Sequence, residues 1–489
     1  MVLKALSLAL ALVSVAPFME AQGEPPAPAA SAQVVNSSAG AESQAVVAAS
    51  SDDDGVGPSG ADEQGRLTLL PHSDTARYWI SAQANVISQW HPSFPAAYSG
   101  PNSLQPGAED ATSEVYTVYL GYELTPTTEL FLDTEAAEGE GLSHTLGVAG
   151  FPNLDVVRNS ALSSAPYLAR LMIRQIIPLS SERVDAERDP LHLATSLPAR
   201  RIEIRIGKFS LPDFFDQNSY GSDSHLQFLN WAIDDDGAYD YASNTRGYTD
   251  AILLEYDDRW WTVRFAEALM PKVANGIYLD ANLARARSEN LEFEVRGKRI
   301  AHRPGVVRLL SYLNHADMGN YEQAIADYRA GETPVPDIVS TRRQGRHKYG
   351  FGLNFEQEIA ADVGIFGRLG WSDGRNESFA YTEVDRTGEL GVFTKGNAWH
   401  RPNDRVGTAF VANGIVAAHQ QYLALGGLGF ILGDGGLTYG PEKIVESFYT
   451  AHLWQGFFAS FDFQHINNPG YNKVRGPVIV PAVRLHVDF

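Results

Sequence analysis

Cysteine is absent from all 489 residues, which removes disulfide frameworks, thiolate metal sites and cysteine nucleophiles together. Positive charge is scarce as well. Lys and Arg number 38 against 59 Asp and Glu, a net charge of −21; such a chain cannot neutralise a phosphate backbone, so nucleic acid is excluded as a partner. Long apolar runs are missing too: after residue 21 none reaches the roughly 20 residues that a membrane-crossing helix takes. Any insertion into a bilayer therefore has to be by strands. His91, His144, His225, His315, His347, His400, His419 and His465 stand at no metal-ligand spacing, so no metal site is expected. No Gly-x-Ser-x-Gly elbow, phosphate loop or metal-binding helix motif occurs. Carboxylate pairs such as Asp213 with Asp216, or Glu138 with Glu140, have the residue types of a glycoside hydrolase, but 59 carboxylates produce close pairs by chance. The expectation is a protein without cofactor and without catalysis.

What is present begins with a leader. Lys4, the apolar Ala5 to Phe18 and a small residue at Ala21 before Gln22 have the layout of a secretory signal peptide spanning 1–21. Residues 22–66 are built from Ala, Ser, Pro, Gly and Gln with an acidic Asp52-Asp53-Asp54. With almost no large apolar side chains to bury, this stretch reads as a disordered periplasmic linker. No comparable linker divides 67–489, so one large unit is expected.

Within that unit, amphipathic segments of about ten residues recur, the length of a tilted membrane strand. Val483, Leu485, Val487 and Phe489 alternate with Arg484, His486 and Asp488. Tyr349, Phe351, Leu353 and Phe355 alternate with Lys348, Gly350, Gly352, Asn354 and Glu356; Ile202, Ile204 and Ile206 alternate with Glu203 and Arg205. Successive side chains leave opposite faces of a strand, so one face suits hydrocarbon and the other water. Charges on the inner face of a closed sheet are tolerable if the lumen is wet; the rival arrangement is a soluble sandwich with those charges on its solvent face. Trp79, Trp90, Tyr116, Tyr119, Tyr122, Trp260, Trp261, Trp371, Tyr449 and Trp454 fall near strand ends, as interfacial girdles do.

Connections alternate short and long. Residues 125–127, 257–259, 360–362 and 454–456 read as tight turns, and Ser88 to Ser113, Ala137 to Ala165, Lys208 to Gly247, Asn314 to Arg346 and Ser372 to Asp404 as long outer loops. The sum is an all-β, transmembrane antiparallel barrel of about sixteen strands beginning and ending on the periplasmic side. Two stretches fit less well: Leu179 to Arg200 is long for a periplasmic turn, and Val406 to Gln421 has helical character.

The third long loop carries recognisable words: Gly207-Lys208-Phe209, Asp213-Phe214-Phe215-Asp216, Gln227-Phe228-Leu229-Asn230-Trp231-Ala232, Tyr239-Asp240-Tyr241 and Thr245-Arg246-Gly247-Tyr248. In order around them stand His91-Pro92-Ser93-Phe94 with 98–104, Gly426-Gly427-Leu428-Gly429-Phe430 with Gly433-Asp434-Gly435 and 439–442, and 468–472 with Arg475-Gly476-Pro477-Val478. From about Ala76 to Phe489 the chain resembles the carbohydrate-selective porins of the OprB type. The resemblance does not extend to the tail or to Val184 to Leu197. It implies a sixteen-stranded outer-membrane barrel with a narrowed lumen and passive diffusion of glucose and similar small sugars, in contact with outer-membrane lipid. A homotrimer stays open. The alternatives are a general or anion-preferring porin and, outside the fold, a secreted sugar-binding or glycoside-hydrolysing β protein.

Sugars combine hydroxyls with apolar ring faces, so a conducting site needs charged or amide groups beside aromatic surfaces, each contact weak enough to release the solute. The third loop interleaves both. If it enters the lumen, the candidate constriction residues are Asp213, Phe214, Asp216, Asn230, Trp231, Asp240 and Arg246, with the inward Arg205, the nearby Lys208, and Arg170, Arg174 and Glu356 across the channel. Each has a structural alternative: Arg246 and Asp240 as a loop brace, Trp231 and Phe214 as packing, and Asp234-Asp235-Asp236 as a solvated outer run.

Overall fold

The computed structural model describes residues 35–36, 67–157, 162–298 and 300–489. The expected leader and nearly all of the 22–66 tail lie outside these residues. Within the tail, Val35 and Asn36 pair antiparallel with Val157 and Val156.

Sixteen antiparallel strands close into one barrel. They are β1 (Tyr78–His91), β2 (Glu109–Thr125), β3 (Thr128–Gly139), β4 (Tyr167–Pro178), β5 (Arg201–Phe209), β6 (Thr249–Asp257), β7 (Trp261–Ala268) and β8 (Arg287–Lys298). The second half is β9 (Pro304–Met318), β10 (Arg343–Ala360), β11 (Val363–Ser372), β12 (Arg386–Gly396), β13 (Arg401–Gly414), β14 (Glu442–Trp454), β15 (Phe457–Asn467) and β16 (Val478–Asp488). Each strand pairs with its sequence neighbour, and the seam joins the ends of the chain: Gln83 faces Asp488 and Gln89 faces Ala482. Phe489 continues the seam, its N–H donating to the Ala82 carbonyl at 2.8 Å. A closed sheet leaves no edge, the condition for a strand structure in hydrocarbon, where an unpaired backbone group has no water to turn to.

Period-2 patterning explains why these sequences form these strands. In β16, Leu485 is 53% exposed on the outer wall while its neighbour Arg484, 1% exposed, points inward. In β10, Phe351 is 56% exposed outside and Lys348 is fully buried inside. Charges therefore face the interior and the soluble sandwich is ruled out.

Six short connections and the longer 179–200 lie at one end and eight loops at the other, with both strand termini at the short-turn end. One stretch differs from the sequence reading, and the two that fitted it less well take definite form. The stretch 372–404 is not one loop; it contains β12, the turn 397–400 and the start of β13. The contrast along β12 is thin, because Gly388 shares the outer face with Leu390 and Val392 while Gly391 and Phe393 face inward beside Glu389. The stretch 406–421 divides into strand and helix, β13 running to Gly414 before a helix at Ala417–Ala424. Residues 179–200 do connect β4 to β5 at the short-turn end, but as a small hairpin in which Arg183–Asp185 pairs with Ser196–Pro198.

Leu309 lies midway along β9, 54% exposed and flanked by Phe293 and Leu353 on the neighbouring strands. Leu309→Arg is expected to cost about 2–4 kcal/mol of folding free energy in lipid vesicles, the depth-dependent penalty of a cation at mid-bilayer; denaturant titration of vesicle-folded protein reads it.

Candidate functional site

Residues 210–248, between β5 and β6, fold into the barrel and lie almost wholly buried there. The segment holds one 3-10 turn, Leu211–Asp213, and one short helix, α1 (Trp231–Asp234). Many of its backbone N–H groups bond to acceptors of the segment itself, as Gln227 does to the Asp223 carbonyl and Asp236 to the Asp216 carboxyl, and the rest need partners from outside it. Carboxylates on the inner wall supply several. Glu292 of β8 accepts from the Asp216 N–H at 2.7 Å, and Glu356 of β10 from the Ser219 N–H at 2.6 Å. Glu446 of β14 accepts from the Leu229 and Asn230 N–H groups at 2.5 and 3.0 Å.

Guanidinium groups treat the loop's acceptors in the same way. Arg170 of β4 holds Asp213 bidentately at 2.8 and 2.6 Å and reaches Asp133 at 3.0 Å. Arg368 of β11 donates to Asp216 at 2.9 Å, to Glu389 at 3.1 Å and to the carbonyls of Ile233 and Asp234 at 2.7 and 2.8 Å. Arg484 of β16 donates to the carbonyls of Ser224 and Gln227 at 2.6 and 2.9 Å. Asp223 of the loop meets Arg405 of β13 at 2.8 Å. The loop is thus anchored to both halves of the wall.

Of the remaining candidates, Asn230 caps α1, its Oδ1 accepting from the Ala232 N–H at 3.1 Å, and donates to Gln464 at 3.0 Å and to the Gly150 carbonyl at 2.7 Å. Trp231 is fully buried between Phe151 and Tyr381, with ring centroids 5.5 and 5.7 Å away, so it packs the loop. Asp240 accepts from the N–H groups of Phe379, Ala380 and Tyr381 at 2.8 to 3.0 Å and lies 3.7 Å from the Lys348 ammonium, clipping the 373–385 loop to this one. Arg246 does not pair with it. Its guanidinium sits 3.7 Å over the Tyr167 ring and donates to the Ser163 carbonyl.

Arg174 and Arg205 belong to a ladder of charges on the inner wall of β3 to β10. Arg174 holds Glu203 at 2.7 Å and Glu129 at 2.8 Å; Arg205 meets Glu203 at 2.5 Å and Glu255 at 3.6 Å. Arg264 continues it to Glu292 and Glu294 at 2.8 and 3.0 Å, and Arg308 to Glu294 and Glu356 at 2.9 and 3.5 Å. Glu203, Glu255 and Asp257 are close enough together to hold a cation. Arginines already neutralise them: Arg174, Arg201 and Arg205 on Glu203, and Arg201 and Arg296 on Asp257. Arg205 also stands 4.7 Å over the ring of the half-buried Phe214, and its Nε and Nη1 have no hydrogen-bond partner.

A model of the carbohydrate-selective porin family OprB matches residues 122–489. The chain belongs to that family. The high-pH structure of OprB from Pseudomonas putida superposes with a TM-score of 0.64 at 14% identity, covering 84% of this chain and 94% of that one. The channel DcaP of Acinetobacter baumannii gives 0.45 at 8% identity, over 84% of this chain and 97% of that one. No curated protein sequence matches. As a carbohydrate-selective porin, the chain is an outer-membrane channel through which sugar solutes pass, and its short-turn end is the periplasmic end.

Two expectations need correction. Lys208 is on the outer wall of the porin, directly opposite the outward Leu171 and Asp250, and does not line the lumen. Its parity with Ile202, Ile204 and Ile206 dictates this. Asp234, Asp235 and Asp236 are not a solvated run; they are buried within the lumen. Asp236 lies so close to the wall that a Cβ at Gly370 would stand 2.0 Å from its Oδ1, and one at Gly352 2.6 Å from its Oδ2. Only glycine leaves room for it. Wall residues that the sequence reading did not single out, Glu292, Glu446, Lys348 and Arg368, do much of the anchoring. Inward parity was the available signal for them, but it does not name the loop atoms they meet.

Arg170→Ala leaves Asp213 and Asp133 buried without their cation and is expected to lower stability by about 3–5 kcal/mol, read as a fall in thermal transition temperature in detergent. Burial, followed by the charge of Asp216, pushes the Asp236 carboxyl up to about 8. A raised folded-state value means that the unfolded chain releases this proton first, so the stability Asp236 contributes falls as pH rises from about 4 to about 8. Asp236→Asn is expected to flatten the fall of the transition temperature across that interval.

Proposed function

We propose that sugars cross this porin between the in-folded loop and the charged wall of β4 to β9, with Arg205 and Phe214 as the principal contacts. The observation that carries this reading is the juxtaposition of an aromatic face with a guanidinium whose Nε has no hydrogen-bond partner and whose Nη1 has only the 3.6 Å ion pair to Glu255. A pyranose ring needs an apolar face and adjacent hydroxyl partners, and this pair offers both without a deep pocket that would trap it. Arg170, Arg174, Asp213, Asp216, Asn230, Asp240 and Glu356 fix the width of the path by holding the loop and wall in place; Trp231 packs the loop behind it, and Arg246 braces it against Tyr167.

The wall ladder supports a preference for uncharged solutes. Arg174, Arg201, Arg205, Arg264, Arg296 and Arg308 stand against Glu129, Glu203, Glu255, Asp257, Glu292, Glu294 and Glu356. Near-balance of sign gives neither anions nor cations a continuous attractive track, while neutral hydroxyls meet donors and acceptors throughout. The arginines also support the second reading, an anion-preferring general porin. No catalytic step is part of the proposal. Transport by this reading needs one copy of the chain, with the outer wall against lipid.

Liposome swelling compares glucose with an uncharged solute of equal size, and the reversal potential in planar bilayers under a salt gradient reports ion preference. Faster glucose entry, a reversal potential near zero, and a loss of glucose preference of about tenfold in Arg205→Ala are expected. Equal permeation of the two solutes removes the sugar claim, and a strongly anion-selective reversal potential favours the second reading.

A further inference from the structure

At the periplasmic end a cavity of about 400 Å³ lies between the in-folded loop and the wall. Two segments that belong to no barrel strand help enclose it: residues 67–74 ahead of β1, and residues 186–192 at the tip of the hairpin between β4 and β5. The first is pinned to the end of the chain, the Leu69 N–H donating to the Asp488 carbonyl at 2.8 Å, and His72 stacks on Trp79 with centroids 4.2 Å apart. The second holds the first. Arg188 donates to the carbonyls of Ser73 at 2.7 Å and Tyr78 at 3.2 Å, and its guanidinium lies 6.0 Å from the Trp79 ring centroid. Behind the tip, the Ala194 N–H reaches Glu129 at 3.1 Å, and Leu193 fills the space beside Gly121, where a Cβ would approach its Cδ2 to 3.0 Å.

None of these contacts is a ladder hydrogen bond of the barrel, so they can break and re-form while the sheet stays intact. The interior of the enclosure is furnished for a polar solute. Arg205, His192 and His486 line it, each with a buried side-chain nitrogen that has no hydrogen-bond partner, and Trp79 and Phe458 contribute aromatic surface. The volume falls within the range of small-molecule sites, and donors set beside aromatic faces are the chemistry of carbohydrate recognition.

We propose that this enclosure is a second carbohydrate-holding site, for a neutral sugar of one or two rings, and that the hairpin tip and the segment before β1 form its latch. A solute that has passed Phe214 is held here, Arg205 being common to the crossing and to this enclosure, until Arg188 releases Ser73 and Tyr78. The proposal rests on the carbohydrate reading of the channel.

The test records single-channel currents of the full chain in planar bilayers, with glucose or maltose added on the periplasmic side, for the native protein, for Arg188→Ala, and for a variant in which 186–192 is replaced by Gly-Ser. Heat-modifiable gel mobility reports that each barrel is intact. Sugar should interrupt the native current, and both variants should show a higher open conductance and sugar dwell times shortened about fivefold, the effect of losing one set of hydrogen bonds at the latch. Native interruptions that persist with unchanged conductance and dwell time in both variants overturn the latch and the second site while leaving the carbohydrate reading standing. A native channel that no sugar interrupts removes the carbohydrate reading itself, and the second site with it.

Discussion

A segment with little secondary structure inside a barrel faces one overriding demand: each of its backbone N–H and C=O groups must find a partner. This porin meets it partly within the segment and partly with carboxyl and guanidinium side chains of the wall. Glu292, Glu356 and Glu446 accept from loop amides, and Arg368 and Arg484 donate to loop carbonyls. The same device recurs among the other loops. Glu442 accepts from the N–H groups of Ala149, Gly150 and Gly470, and Glu383 from those of Ile431 and Leu432. Carboxylates of the wall, and Glu383 of the 373–385 loop, thus act in place of a neighbouring strand. Part of the chain's acidic excess is structural in this sense, and the lumen is narrowed by a loop whose position is fixed from many directions.

That arrangement also separates two duties that charge could otherwise confuse. On one part of the wall, guanidiniums and carboxylates are spent on holding the loop; on β4 to β9 most are spent on one another, with Arg170 and Glu292 also reaching the loop, in a ladder that leaves a few donors over, those of Arg205 among them. Burying a charge with an incomplete set of partners is costly in a dry interior, and the cavity beside Arg205 supplies the polar space that relieves it.

The barrel was largely legible from alternation because lipid and water impose opposite demands on successive residues. Where a strand weakens that contrast the reading fails, as in β12, whose small outward Gly388 and inward Gly391 and Phe393 blur the two faces. Lys208 shows a different failure: the alternation of Ile202, Ile204 and Ile206 already assigned it to the outer wall, and its proximity to the loop words obscured that. The internal anchoring was less accessible still. Nothing local to Asp234-Asp235-Asp236 announces that glycines more than a hundred residues away, at 352 and 370, leave a recess for it. Contacts between a loop and the far wall are set by closure of the sheet, and a periodicity read along one strand carries no information about what lies across the lumen.

The seam has a consequence for biogenesis. Residues 83–89 find their partners only at 482–488, so the first strand keeps an open edge until β16 is in place. A partly synthesised chain cannot bury that edge in hydrocarbon. Any hairpin that enters the bilayer ahead of β16 carries that unpaired edge with it, and only docking of β16 against β1 removes it.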